Sequence, residues 1–256
     1  VGKSGSGKST LINMFTGNHL GHIQIHGQGY LDKPSIYNSI ADYEEIGSAI
    51  QRLPGVETWT PRLFAAGLAS VGDHSATAQI IGIDPPREQR ATRFEQKIIA
   101  GTALGGPEHG VVLGKNLAEV LDAHVDDELV IVSQAADGSI ANDLYRIVGI
   151  MQSGEEMSDR TSLYMHLADA QALFTIESRV HEIAIIIKDL GAIKALMADI
   201  RKQPGLAELS VEPWQEFARS FYQAMKADQE GMWIMIFVIV LIVAIGVLNT
   251  VLMSVL

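Results

Sequence analysis

The sequence predicts an α+β fold: a split α/β core domain with an inserted β-rich subdomain, then a stalk helix and a transmembrane helix. Strand-like alternation and helix-like periodicity take turns through residues 18–212, which predicts a mixed domain. A helix followed by Pro-Gly and a strand occurs twice, near residues 50 and 204, on either side of a different block. Finally, the last 26 residues carry no charge.

The two copies of this helix–strand pattern define the split part of the core domain. A strand is expected at 22–26 and a helix at 42–53, which ends at Pro54-Gly55. The second copy has strands at 182–188 and 206–212 around a helix at 190–203. Because the two copies are far apart in the chain, the sequence predicts one subdomain interrupted by an insertion.

The block between the copies is rich in strand patterns, and the inserted subdomain is expected at about residues 84–170. Asp84-Pro85-Pro86 is predicted to break the chain where the insertion begins. Within it, strands at 128–133 and 142–151 flank Asp137-Gly138, a dipeptide that strongly favours a hairpin turn.

Residues 213–230 are predicted to form a stalk helix that continues towards the membrane. Trp214, Phe217, Phe221 and Met225 follow one another at spacings of 3, 4 and 4, which produces one apolar stripe. The stripe either packs on the chain's own domain or pairs with a second subunit and couples its motion to the membrane. The four residues are therefore the candidate coupling residues.

Residues 231–256 are predicted to form a transmembrane helix. The run is longer than the roughly 20 apolar residues needed to cross a bilayer. Gly246 would let a second helix approach, and Asn249 would form a hydrogen bond across that contact, so both are candidate helix-packing residues. The chain is expected to be a membrane protein cut short after this helix.

Composition excludes several classes of function. The formal net charge of −11 argues against nucleic acid as a partner, because binding a phosphate backbone requires a basic face. The sequence contains no cysteine, which excludes disulfide scaffolds, thiolate metal sites and cysteine nucleophiles. No catalytic residues are assigned from spacing.

Residues 1–17 contain a phosphate-binding loop pattern. Its glycines would let backbone N–H groups converge on phosphate oxygens, while Lys8 would contact the terminal phosphates and Ser9 would hold magnesium. The residues assigned to this candidate ATP site are Gly2, Gly5, Gly7, Lys8, Ser9 and Thr10. No apolar run ending in Asp-Glu follows, so ATP hydrolysis by this chain alone is not expected.

Three histidines near the N-terminus raise the alternative of a metal site. His19, His22 and His26 lie close in sequence, and the last two share one face of the predicted strand. Because no carboxylate lies nearby before Asp32, no metal site is predicted.

From residue 18 onwards the chain resembles the permeases of MacB/FtsX-like ABC transporters, which include the lipoprotein-releasing permeases. The resemblance covers over nine tenths of the sequence and contains no catalytic motif. The matching segments are Leu20–His26, Gly29–Asp32, Gly110–Gly114, Gln134–Asp143 and Gly246–Thr250.

The resemblance implies a permease subunit in the bacterial inner membrane, not an enzyme by itself, with residues 18–212 in the periplasm. It implies a second permease subunit and an ABC ATPase dimer as partners, with ATP and magnesium bound by the ATPase. The expected cargo is a lipoprotein, a lipid or another hydrophobic molecule. A signalling permease would share this architecture.

Residues 1–17 instead resemble the phosphate loop of the ATPase subunit of such transporters. A cytoplasmic loop cannot lie about ten residues from a periplasmic strand without crossing roughly 30 Å of lipid. The chain is therefore expected to be chimeric, truncated or misassembled, with a vestigial nucleotide site. The alternative function is a nucleotide-binding ABC-type protein that uses this loop.

Overall fold

The structure, a computed structural model, describes residues 20–105, 109–217, 223, 232–233 and 235–247. The chain divides after Trp214 into two compact units. The first combines a large sheet with short helices, which confirms the predicted α+β class.

The described residues of the first unit form ten strands. They are β1 (Ile23–Gly27), β2 (Val56–Val71), β3 (His74–Ile83), β4 (Ile98–Gly101), β5 (Gly110–Gly114), β6 (Glu128–Gln134), β7 (Ile140–Met151), β8 (Ser162–His166), β9 (Glu182–Ile187) and β10 (Leu209–Pro213). The helices are α1 (Tyr43–Gln51), α2 (Pro85–Thr92), α3 (Lys115–Leu121), α4 (Glu156–Thr161), α5 (Leu167–Leu173), α6 (Ile193–Ile200) and α7 (Trp214–Phe217). Two 3₁₀ helices lie at Phe94–Lys97 and Leu190–Ala192.

The strands pair in the order β10-β1-β9-β2-β3-β8-β5-β7-β4, and β6 pairs with both β2 and β7. The sheet therefore contains a closed ring of six strands, β2-β3-β8-β5-β7-β6. Strands β3 and β8 and strands β5 and β7 run parallel, whereas the other pairs are antiparallel. Outside the ring, β1 lies between β9 and β10, so the first strand of the chain pairs with the last two.

Alternating apolar residues fill the core. Ile80, Leu113, Ile131 and Leu163 are fully buried and belong to four strands of the ring, as expected for a small closed sheet. By contrast, every residue of β9 is buried, and its continuous Ile183–Ile187 segment is typical of a strand covered on both faces.

Helix α1 packs closely on β2 because it has a glycine at the contact. A Cβ atom at Gly47 would lie 2.4 Å from ring atoms of Trp59, so only glycine allows this approach. The helix buries Ile46 and Ile50, which lie four residues apart and therefore share one face.

The strand β3 ends at Ile83, where Asp84-Pro85-Pro86 predicted a break, and helix α2 begins at the same residues. The helix begins at Pro85, and the Asp84 carboxylate accepts a hydrogen bond from the Arg87 N–H at 3.0 Å. Proline suits the first helical turn, where its missing N–H would have no intrahelical partner. The same residues that end the preceding strand therefore start a helix.

The predicted hairpin lies between β6 and β7. Gly138 adopts a φ of 87°, and the Asp137 carboxylate accepts a hydrogen bond from the Ser139 N–H. The strands β2 and β3, which precede residue 84, complete the ring with those that follow it. The proposed boundaries of an inserted subdomain at 84 and 170 stay predictions.

The second unit contains described helical residues at 232–233 and 235–247. Their large apolar side chains are exposed, among them Trp233, Phe237 and Ile242. No helix among the described residues has both the length and the hydrophobicity needed to span a membrane. The transmembrane helix at 231–256 thus stays a prediction.

Candidate functional site at the ends of the core domain

The first and last described segments of the core domain lie side by side. Strands β1 and β10 pair with Ile23 opposite Pro213, and the N–H of Trp214 donates to the carbonyl oxygen of His22 at 3.0 Å. On its other side, the N–H of His22 donates to the carbonyl oxygen of Ile185 at 2.9 Å. The first and last strands of the described core domain therefore run in opposite directions, with the start of β1 beside the end of β10.

His22 is a buried part of this junction, with an exposed fraction of 4 %. Its Nδ1 atom accepts a hydrogen bond from the Ile187 N–H at 3.0 Å. Burial lowers the pKa of His22 to about 4. His22 is therefore neutral near pH 7, and its Nε2 atom has no hydrogen-bond partner among the described residues.

A buried ion network lies deeper in the same sheet. The Arg62 guanidinium donates from Nε and Nη2 to both carboxylate oxygens of Glu88, at 3.1 and 2.7 Å. Its Nη1 atom donates to Oε1 of Glu182 at 2.9 Å. Since these residues belong to β2, α2 and β9, the network connects the six-strand ring to the strand next to β1.

Two threonines complete the environment of Glu88. The hydroxyls of Thr60 and Thr92 each donate to one carboxylate oxygen at 3.0 Å. Burial by itself would raise the pKa of Glu88, but the charge of Arg62 and these hydrogen bonds outweigh it and lower the pKa. Burial lowers the pKa of Arg62, whereas Glu88 and Glu182 raise it by more. Both groups are therefore charged.

An aromatic stack connects β1 to β9 beside this network. The Tyr30 ring lies between the rings of His26 and His181, with centroid distances of 5.2 and 5.5 Å. His26 faces the His181 carbonyl oxygen at Nδ1, and Gln24 Oε1 at Nε2, both at 3.1 Å. These contacts connect β1 to the residue before β9.

The structure describes only part of the predicted site residues. Trp214 is 4 % exposed and Phe217 is half-buried, whereas Phe221 and Met225 lie outside the described residues. The burial of Trp214 is what we expect if the apolar stripe packs on the chain's own domain. The coupling role of the four stripe residues stays a prediction. Gly246 has open space around its Cα atom.

The other predicted positions also lie outside the described residues. These are Asn249 and the phosphate-loop residues Gly2, Gly5, Gly7, Lys8, Ser9 and Thr10. The ATP site therefore stays a prediction. His19 is not described either, and within the described ranges no group of three or more histidines and carboxylates is arranged to hold a metal ion.

The sequence did not predict the Arg62 network. Arg62, Glu88 and Glu182 are far apart in the sequence, and no spacing rule connects them. One feature of the sequence indicated such a network. Arg62 stands next to Leu63 in a long segment that contains β-branched and aromatic residues, and a charged residue in a buried strand requires a partner.

Comparison with known proteins identifies the family of this domain. The chain belongs to the family of MacB-like periplasmic core domains, which matches residues 4–203. The predicted resemblance is confirmed. The family match begins inside the segment that contains the predicted phosphate loop.

A curated relative is the lipoprotein-releasing system transmembrane protein LolC of Neisseria meningitidis serogroup B. It is 22% identical over 234 residues, which cover 89% of this chain and 55% of LolC. The chain thus spans about half the length of this relative.

Two solved structures share the fold. The periplasmic region of MacB from Actinobacillus actinomycetemcomitans superposes with a TM-score of 0.57 at 17% identity, covering 80% of this chain and 94% of the other. The extracellular domain of the ABC-type transporter YknZ from Gram-positive bacteria gives a TM-score of 0.53 at 11% identity, covering 74% and 98%.

Proposed function

We propose that this chain is part of an ABC transporter permease whose periplasmic core domain moves when a partner ATPase hydrolyses ATP. The observation that carries the proposal is the pairing of β1 with β10, because it brings both ends of the domain to one place. A domain attached at both ends can be displaced as a unit by the segments that flank it. The family of the core domain supports the same role.

The buried contacts of the domain suit mechanical work. Arg62 connects three elements that are distant in the sequence, and the His26–Tyr30–His181 stack connects β1 to the residue before β9. Buried, fully paired polar groups are strongly dependent on geometry, so they resist shear between the strands. In this proposal the stalk at 213–230 transmits displacement, with Trp214 as its fixed end.

The proposed partners are a second permease subunit and an ABC ATPase dimer, which would bind ATP and magnesium. The proposed cargo is a lipoprotein, a lipid or another hydrophobic molecule, and the similarity to LolC supports the first of these. The proposed location is the bacterial inner membrane, with the core domain in the periplasm.

Affinity purification of the tagged full chain from its native membrane tests this function. We expect an ABC ATPase to co-purify in mild detergent and the complex to hydrolyse ATP. Absence of any ATP-binding subunit from the complex would contradict the proposal. Loss of ATP turnover in Lys8→Ala would instead assign the nucleotide site to this chain and support the alternative.

A further inference from the structure

A groove of about 720 Å³ lies on the outer surface of the six-strand ring. Phe64 and Ala66 of β2 and Gln79 of β3 form its floor, and Tyr30 and Ile36 form a wall from the loop after β1. The volume lies within the range of about 300–1,000 Å³ that is usual for ligand sites.

The charge of this groove differs from that of the chain around it. None of the 13 described residues that line the groove is acidic or basic, although the chain has a net charge of −11. An ionised group placed there would lose hydration and find no opposite charge, which is unfavourable. The groove therefore selects an uncharged occupant.

Two hydroxyl groups of the groove form hydrogen bonds within the protein. The Ser133 hydroxyl donates to the Ala66 carbonyl oxygen at 2.6 Å, and the Thr161 hydroxyl donates to the Met157 carbonyl oxygen at 3.4 Å. The floor strands β2 and β3 pair with each other along the groove. An extended peptide would therefore find no free strand edge to pair with there, whereas a hydrocarbon chain needs no hydrogen bonds.

An exposed apolar strip continues from the groove across the sheet. Leu68 is two residues beyond Ala66, so both side chains project from the same face of β2. Leu68 lies opposite Val132, and Val130 lies opposite Leu144 on the next strand. Because neighbouring strands are about 4.8 Å apart, these side chains form one continuous surface.

We propose that this groove and strip bind a single acyl chain, with the polar end of the lipid in solvent. The inference rests on the proposed function, since it specifies the part of a hydrophobic cargo that the core domain contacts. An uncharged, elongated surface whose floor strands already pair with each other suits a hydrocarbon tail better than it suits an extended peptide.

Photo-crosslinking of the full chain in lipid nanodiscs tests the proposal. The probe is palmitic acid with a diazirine at its terminal carbon, and mass spectrometry locates the attachment sites. We expect attachment within 64–68 and 130–134. Ala66→Glu and Leu68→Asn should each reduce it at least tenfold, because they place polar atoms in the path of the chain. Ile99→Glu, at an exposed position on β4, is the matched control and should leave the attachment unchanged.

Competition distinguishes the chemical alternatives. A palmitoylated peptide should displace the probe, and the same peptide without its acyl chain should not. Displacement by both peptides, or attachment that Ala66→Glu and Leu68→Asn leave intact, would overturn the proposal. Co-purification of the ATPase with the same variants separates this failure from a failure of the proposed function.

Discussion

At the scale of single residues, the charges of Arg62, Glu88 and Glu182 are bound to one another inside the sheet. Removing one member of a buried ion network leaves the others charged and unpaired, which is far more costly than losing a surface ion pair. The network therefore makes the fold sensitive to one side chain.

We predict that Arg62→Leu lowers the free energy of unfolding of the core domain by about 3–5 kcal/mol. Chemical denaturation of the full chain in detergent, followed by tryptophan fluorescence, measures the change. Lys202→Met removes an exposed ion pair with Asp199 and should cost no more than about 1 kcal/mol. Equal effects of the two variants would show that the Arg62 network does not hold the strands together.

His22 predicts a pH dependence at the junction of β1 and β10. Its folded pKa of about 4 lies below its ordinary value of 6.5, so the unfolded chain takes up a proton first as the pH falls. Its contribution, roughly 3 kcal/mol, is present above pH 6.5 and is lost as the pH falls towards 4.

His22→Asn isolates this effect, because its side-chain oxygen can accept from Ile187 but does not titrate. The variant should lose less stability than the wild type between pH 7 and pH 4.5 in denaturation experiments. Parallel pH profiles for the two proteins would refute this role of His22.

At the scale of elements, sequence patterns located most strands but failed where neighbours decide the structure. The strand at 22–26 and the Asp137-Gly138 turn were visible in the sequence. Strand β8 was missed because Ser162–His166 is short and is held by pairing with β3 and β5. No local pattern predicted the Arg62 network, because its members belong to three elements that are far apart in the sequence.

Helix α2 gives a prediction about local structure. Asp84→Ala should lower stability by about 1 kcal/mol, because it removes the acceptor for the Arg87 N–H at the start of the helix. Asp84→Asn keeps an acceptor oxygen and should retain most of the stability. Equal losses in the two variants, measured by thermal unfolding, would show that the cap hydrogen bond is not the cause.

At the scale of the whole molecule, the central feature is the pairing of β1 with β10. It places His22 and Trp214 side by side at the two ends of the described core domain. The sequence pattern predicted that the split halves meet, because the same helix–strand unit occurs twice. It could not predict the register, which depends on how β1 fits between β9 and β10.

The absence of cysteine from the sequence makes one measurement especially direct. The Ile140→Cys variant places a thiol near the β6–β7 turn, at a side chain that is 80 % exposed. The Val112→Cys variant is the control, because Val112 is fully buried. If the core domain is periplasmic, a membrane-impermeant maleimide should label the Ile140→Cys chain in intact spheroplasts and the Val112→Cys chain only after denaturation. Labelling of the Ile140→Cys chain only after the membrane is broken would contradict the central claim that this domain faces the periplasm as part of a permease.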